Sequence, residues 1–213
     1  MASWIAIPAI MCIVTIFTTP WNPTASTMYK MLFFMMPGFG ILLLAFFLAL
    51  VGIGQEGSAF VNLLIAPLRA KQIVIAKLVV ALFPSTCALS ILIVFVQMIV
   101  QPRLEVMLAV TVAGFAVLLE ATLVGLAVGA RYPDFTEVPR SRFVSQRGAL
   151  LGMALMGVTV AATCSPVLVH SFFLSRFLSL PMATIVTAVI ATAACYLGYR
   201  AATLVVQQLY RRG

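Results

Sequence analysis

The sequence has very few charged residues for its length. Charged side chains make up 8% of the 213 positions, whereas hydrophobic residues make up 63%. So little polar surface cannot cover a water-soluble globule of this size. The composition therefore excludes a soluble protein and predicts an integral membrane protein of the all-α class.

The residue types that carry catalysis and metal binding are also scarce. The chain has one histidine, His170, and five carboxylates, and it contains no Walker A glycine-lysine loop, no HExxH and no credible GxSxG nucleophile. The four cysteines lie in apolar runs without a CxxC pair, so neither a metal site nor a disulfide framework is indicated. We expect no catalytic, cofactor-binding or metal-binding residues, and we interpret His170 as an interfacial side chain, with a ligand or base role as the alternative.

The apolar runs predict about six membrane-spanning helices in a single domain covering residues 1–213, because each span needs roughly 20 apolar residues. An apolar run begins close to Met1 without a basic region ahead of it, so we expect a first span there and not a cleaved signal peptide. Residues 167–180 are too polar for a crossing and suit an external interfacial or re-entrant segment before the last span. The predicted spans are about residues 3–19, 29–53, 73–100, 106–130, 148–167 and 181–204.

The basic residues predict the orientation of these spans. Six spans place ten of the 13 Lys and Arg residues on the side of the C-terminus and three on the other side, which is the bias of cytoplasmic loops. We therefore expect a multi-pass protein of the plasma membrane with both termini in the cytoplasm. The net charge of +8 is explained by this bias, and nucleic acid is not an expected partner.

Residues 54–72, between the second and third predicted spans, do not have the pattern of a span. Their apolar side chains recur at three- and four-residue spacings and so share one helical face. This pattern predicts a helix on the cytoplasmic surface, where a soluble partner could push on the spans. A surface helix that only contacts lipid headgroups would have nearly the same sequence.

Glu120 is a carboxylate inside the fourth predicted span, roughly 15 Å from its cytoplasmic end at the helical rise. A charge at that depth is costly and should face the bundle interior. Lys77 lies inside the third span from the same side, so an intramembrane charge pair of Lys77 and Glu120 is expected to lock two helices. The alternatives are a role of Glu120 in a transport path or conformational coupling, or a protonated Glu120 with neither role.

The longest charged loop runs from Arg131 to Arg147. Its four arginines could bind anionic lipid headgroups or dock a partner, and Pro133 and Asp134 next to Phe135 predict an ordered turn. Gly125 and Gly129 before the loop have the small-xxx-small spacing at which another helix packs closely.

Two segments resemble the membrane (permease) subunits of type-2 ABC exporters. The first is Gly54-Gln55-Glu56-Gly57 followed by Leu63 to Leu68 and Ala76-Lys77, and the second comprises Gly125 to Gly129, Arg131 to Phe135 and Arg147-Gly148. The resemblance covers about residues 28–165. It implies that residues 54–72 form a coupling helix that docks on a nucleotide-binding subunit. The residues it assigns to this coupling are Glu56, Gly57, Leu64, Pro67 and Arg69.

By this resemblance, the chain would be a transport subunit of an ATP-binding-cassette exporter and not an enzyme. ATP and Mg²⁺ would bind a separate ATPase subunit and none would bind this chain, and the expected partners are that subunit, membrane lipids, and a second permease subunit or permease half. The alternatives are a proton-coupled secondary transporter using Glu120 and a non-transporting accessory membrane protein. The sequence does not identify a substrate.

Overall fold

The computed structural model describes residues 27–59, 69–133, 144–170 and 179–210. Within these ranges the chain forms five long α-helices, a short 3-10 helix, and one isolated antiparallel bridge between Pro133 and Val144. All five α-helices are long and apolar enough to cross a membrane. The elements are α1 Thr27–Val51, the 3-10 helix Gly54–Ala59, α2 Ala70–Val100, α3 Leu104–Arg131, α4 Gln146–Val169 and α5 Leu180–Tyr210.

The all-helical architecture with helices of membrane-spanning character is therefore confirmed. Five such helices are present in the described part of the chain, and the predicted first span, residues 3–19, lies outside it. The expected external segment at 167–180 is described only at its edges, where α4 continues to Val169 and α5 begins at Leu180. Six spans and the re-entrant segment remain predictions.

Helix α3 is the centre of the bundle, since it packs against each of the other four α-helices. Between α2 and α3 the chain turns at once, because Gln101 adopts the left-handed conformation (φ 49°) that ends helices. A core of fully buried apolar side chains joins α1, α2, α3 and α5 around Val74, Leu126 and Val206. The element that carries Glu120 is thus the one with the most helical neighbours.

Helices α1 and α3 approach each other at backbone distance. A Cβ atom on Gly125 would lie 2.5 Å from the carbonyl oxygen of Phe46, and one on Gly129 would overlap the carbonyl oxygen of Leu50. Only glycine permits such an approach. The close packing predicted from the spacing of Gly125 and Gly129 is confirmed.

The ends of the five helices alternate, and one end of the bundle holds an ion pair between the 3-10 helix and α2. We call this the polar end: α1, α3 and α5 finish there, and α2 and α4 begin there. Contacts of Leu50 with Gly129 and of Arg131 with Gln208 hold together the three helices that finish there. The predicted cytoplasmic loops both leave from this end.

Apolar side chains cover the outside of the bundle. On α2 the side chains of Val80, Phe83 and Met98 are 71%, 70% and 70% exposed, whereas α1 buries most of its side chains from Ile41 to Val51. Lipid tails can cover such a surface without leaving a polar group unsatisfied, because the backbone groups are paired within the helices. The exposure pattern thus matches the membrane association indicated by the helix lengths.

Candidate functional site

An ion pair joins the 3-10 helix to α2 at the polar end. The Lys77 ammonium group, two turns into α2, contacts the Glu56 carboxylate at Oε1. Both side chains are about four-fifths buried, with exposures of 21% and 24%, so solvent screens the pair only in part. The pair fastens the segment after α1 to the body of α2.

This pairing replaces the one expected from the sequence. Lys77 was expected to reach Glu120, but in the structure it pairs with Glu56, and the Glu120 carboxylate accepts a hydrogen bond from Thr163 instead. The physical reason is the direction of each side chain around its helix, which packing sets: Lys77 faces the 3-10 helix, whereas Glu120 faces Thr163 of α4. The expected Lys77–Glu120 pair does not form.

The rest of the predicted coupling segment is described only in part. Glu56 and Gly57 lie in the 3-10 helix, and Arg69 is the N-cap residue of α2, where its backbone N–H donates to Gln72 Oε1 at 2.8 Å. Leu64 and Pro67 lie outside the described residues. A continuous surface helix over 54–72 and its role in docking therefore remain predictions.

Glu120 lies in the middle of the bundle and is 2% exposed. Its Oε1 accepts a hydrogen bond of 2.7 Å from the Thr163 hydroxyl of α4, and its Oε2 has no hydrogen-bond partner in the described part of the chain. The sequence did not single out Thr163, because many threonines lie in the apolar runs and nothing in their spacing distinguishes the one that faces α3. The contact confirms that Glu120 points into the bundle.

The two ends of the predicted loop after α3 are joined by backbone contacts. Pro133 forms a bridge with Val144, and the Ser145 N–H donates to the Tyr132 carbonyl at 3.2 Å. Tyr132 also packs against Gly148, where an added Cβ would lie 2.6 Å from the tyrosine Cβ. The two ends of the loop are thus held together where α3 and α4 meet.

Arg131, the last residue of α3, extends this junction to α5. Its guanidinium donates to Gln208 Oε1 at 3.2 Å. Asp134 and Phe135 lie outside the described residues. Binding of lipid or of a partner by the loop stays a prediction.

The start of α4 does not have the geometry of a phosphate site. A phosphate cradle needs free backbone N–H groups at a helix N-terminus and room for the phosphates. At the start of α4 the Gly148 N–H already donates to Ser145 Oγ at 3.2 Å, and Tyr132 fills the space beside it. In the described ranges no group of three His, Cys, Asp or Glu side chains could hold a metal ion. The start of α4 is therefore not a phosphate cradle.

Comparison with protein families gave a match. The model of a family described as "Putative ATP-binding cassette" matches residues 9–211. No curated protein and no solved structure matched the chain. The match covers nearly the whole chain and supports the context of ABC transporters.

The match corrects the assignment made from sequence motifs. The family is described as an ATP-binding cassette and not as a permease subunit, so the identification with the membrane subunits of type-2 ABC exporters is wrong, as are the exporter function and the proton-coupled alternative. The expectation that the chain is not an enzyme is also overturned at the family level, since the description names ATP binding. The motifs that carried the first assignment are short, and apolar helices produce them readily.

Proposed function

The chain belongs to the family described as "Putative ATP-binding cassette", and from this premise we propose that it is a membrane-embedded component of an ATP-binding cassette system. In this proposal, a nucleotide-dependent event at the polar end is transmitted to the apolar helices. The observation that carries the proposal is the ion pair between Glu56 and Lys77. It links the exit of α1 directly to α2.

Two contacts give the transmission its route. A displacement of the 3-10 helix acts on α2 through Glu56 and Lys77. The same displacement acts on α3 through the end of α1, because Leu50 contacts Gly129 backbone to backbone. Packed helices respond to such a push by shifting as units, since close-packed interiors do not deform continuously.

The contact with a partner is part of the proposal. An ATPase subunit of the same system would contact residues 54–72. Glu56, Gly57, Leu64, Pro67 and Arg69 would form the contact. A second copy of the chain, or a second membrane half, completes the assembly, and lipids cover the exposed apolar faces.

Photolabelling with azido-ATP and Mg²⁺ tests where the nucleotide binds. The complex is purified from the membrane under mild conditions and labelled with and without excess ATP. We expect an ATP-protected label in the complex, as the family description of an ATP-binding cassette implies. A protected label on this chain would place the nucleotide site on the chain itself, and a complex with no protected label would contradict the proposal.

Charge-reversal variants test the ion pair. E56K and K77E each leave two like charges in contact, so both should reduce the nucleotide-dependent distance change between spin labels on α1 and α2. The double variant E56K/K77E should restore it, with a coupling of about 1 kcal/mol between the two positions. K71E is the matched control, because Lys71 is exposed at the start of the same helix. Equal losses in K71E and K77E would exclude a specific role of the pair.

A further inference from the structure

The carboxyl group of Glu120 is enclosed by the bundle. Glu120 is 2% exposed and Thr163 is 0% exposed. Thr163 donates to Oε1 at 2.7 Å, and Oε2 is buried with no hydrogen-bond partner among the described residues. Only one of the two carboxyl oxygens is therefore paired with a described residue.

The groups that surround Glu120 are neutral or weakly acidic. Cys164 on α4 and Cys195 on α5 are the titratable side chains that interact with it electrostatically. In the described parts of α1 and α2, no acidic or basic side chain forms an ion pair with Glu120. Lys77 forms its ion pair with Glu56 instead. Within the described residues, no cation neutralises a negative charge on Glu120.

An ionised carboxylate in these surroundings would be a buried charge with a single hydrogen bond. Such a group is far more costly to bury than a neutral polar group. Binding a proton on Oε2 removes the charge and leaves Oε1 free to accept from Thr163. The neutral acid is thus the form that the geometry accommodates.

We propose that Glu120 is a proton-binding site, in which the carboxyl group holds a proton on Oε2 between α3 and α4. The proton can leave only when Oε2 meets water or a base, which requires the contact between these two helices to open. Protonation of Glu120 and packing of α3 on α4 are therefore linked. This inference is independent of where the nucleotide binds.

Dicyclohexylcarbodiimide provides a direct test, because this apolar reagent reacts with protonated carboxyl groups in membranes. The acid proton passes to a carbodiimide nitrogen, the carboxylate oxygen bonds to the central carbon, and the adduct rearranges to a stable N-acylurea. We expect mass spectrometry of the purified protein in lipid nanodiscs to find this adduct on Glu120 at neutral pH. Glu105 is the control, because it lies exposed in the first turn of the same helix and should stay unmodified. An unmodified Glu120, in protein whose infrared spectrum shows a carboxylate in place of the protonated acid, would overturn the proposal.

Infrared spectroscopy provides a second test that needs no reagent. The wild-type minus E120Q difference spectrum should contain the C=O stretch of a protonated acid, and this band should shift in D₂O. A carboxylate band in its place would overturn the proposal. Glutamine is neutral and nearly isosteric with the protonated acid, so we also expect E120Q to unfold at nearly the wild-type temperature.

Two further measurements identify the bound species. T163V removes the donor that favours the charged form, so labelling of Glu120 should persist to higher pH in this variant than in the wild type. Sodium or potassium at constant pH should leave labelling unchanged. Suppression of labelling by either cation would show that the site binds a metal ion, and it would overturn the assignment of a proton.

Discussion

Gly129 is the described glycine with the least room for a side chain. An added Cβ would overlap the carbonyl oxygen, and lie 2.8 Å from the carbonyl carbon, of Leu50. The obstacle is backbone within a helix and cannot rotate away as the end of a side chain would. The position therefore sets how closely α1 and α3 can approach.

We expect G129A to destabilise the protein by about 1–3 kcal/mol, the usual cost of overpacking a close-packed interior. The matched control is G157A in α4, because no atom lies within 4 Å of a Cβ built there and Gly157 is exposed. That control should be neutral or slightly stabilising, since alanine favours the helix by about 0.5–1 kcal/mol. Thermal unfolding in one detergent compares the two variants. Equal melting temperatures would show that α1 and α3 are not in contact at Gly129.

The boundaries of the helices could be predicted closely from the apolar runs. The predicted spans at 73–100 and 106–130 differ by three residues or fewer from α2 and α3, because the bilayer thickness and the flanking polar residues limit where a span can begin and end. The contacts between helices were harder to predict. Depth along a helix can be counted from the sequence, but the direction of a side chain around the axis depends on packing. For this reason the predicted partner of Lys77 was wrong, and the hydrogen bond between Thr163 and Glu120 was not predicted.

The start of α4 depends on a single side chain. Ser145 is the N-cap residue, and its Oγ accepts from the Gly148 N–H at 3.2 Å. We expect S145A to cost about 1 kcal/mol of stability, the usual effect of losing such a cap, and to increase hydrogen exchange in the first turn of α4. S165A is the control, because the Ser165 hydroxyl donates to the Ala162 carbonyl within the helix and caps nothing. Equal exchange in both variants would exclude the capping role.

At the scale of the whole molecule, the charge count predicts that the polar end faces the cytoplasm. In a background without the four native cysteines, K71C at the polar end should react with a membrane-impermeant maleimide only after the cells are permeabilised. R103C, in the turn between α2 and α3 at the opposite end, should react in intact cells. Both native residues are basic and exposed, so the pair is matched. The reverse labelling pattern would contradict the predicted orientation.

The hydrogen bond between Thr163 and Glu120 also constrains the order of events during synthesis. Thr163 follows Glu120 by 43 residues, so α3 leaves the ribosome before α4 exists. Inserting a charged side chain at the centre of a helix costs about 3 kcal/mol, and at that moment Thr163 is not yet present to bind it. A proton on Glu120 lowers this cost until α4 arrives. The bound proton would then first serve during synthesis, when it neutralises Glu120 before α4 has been made.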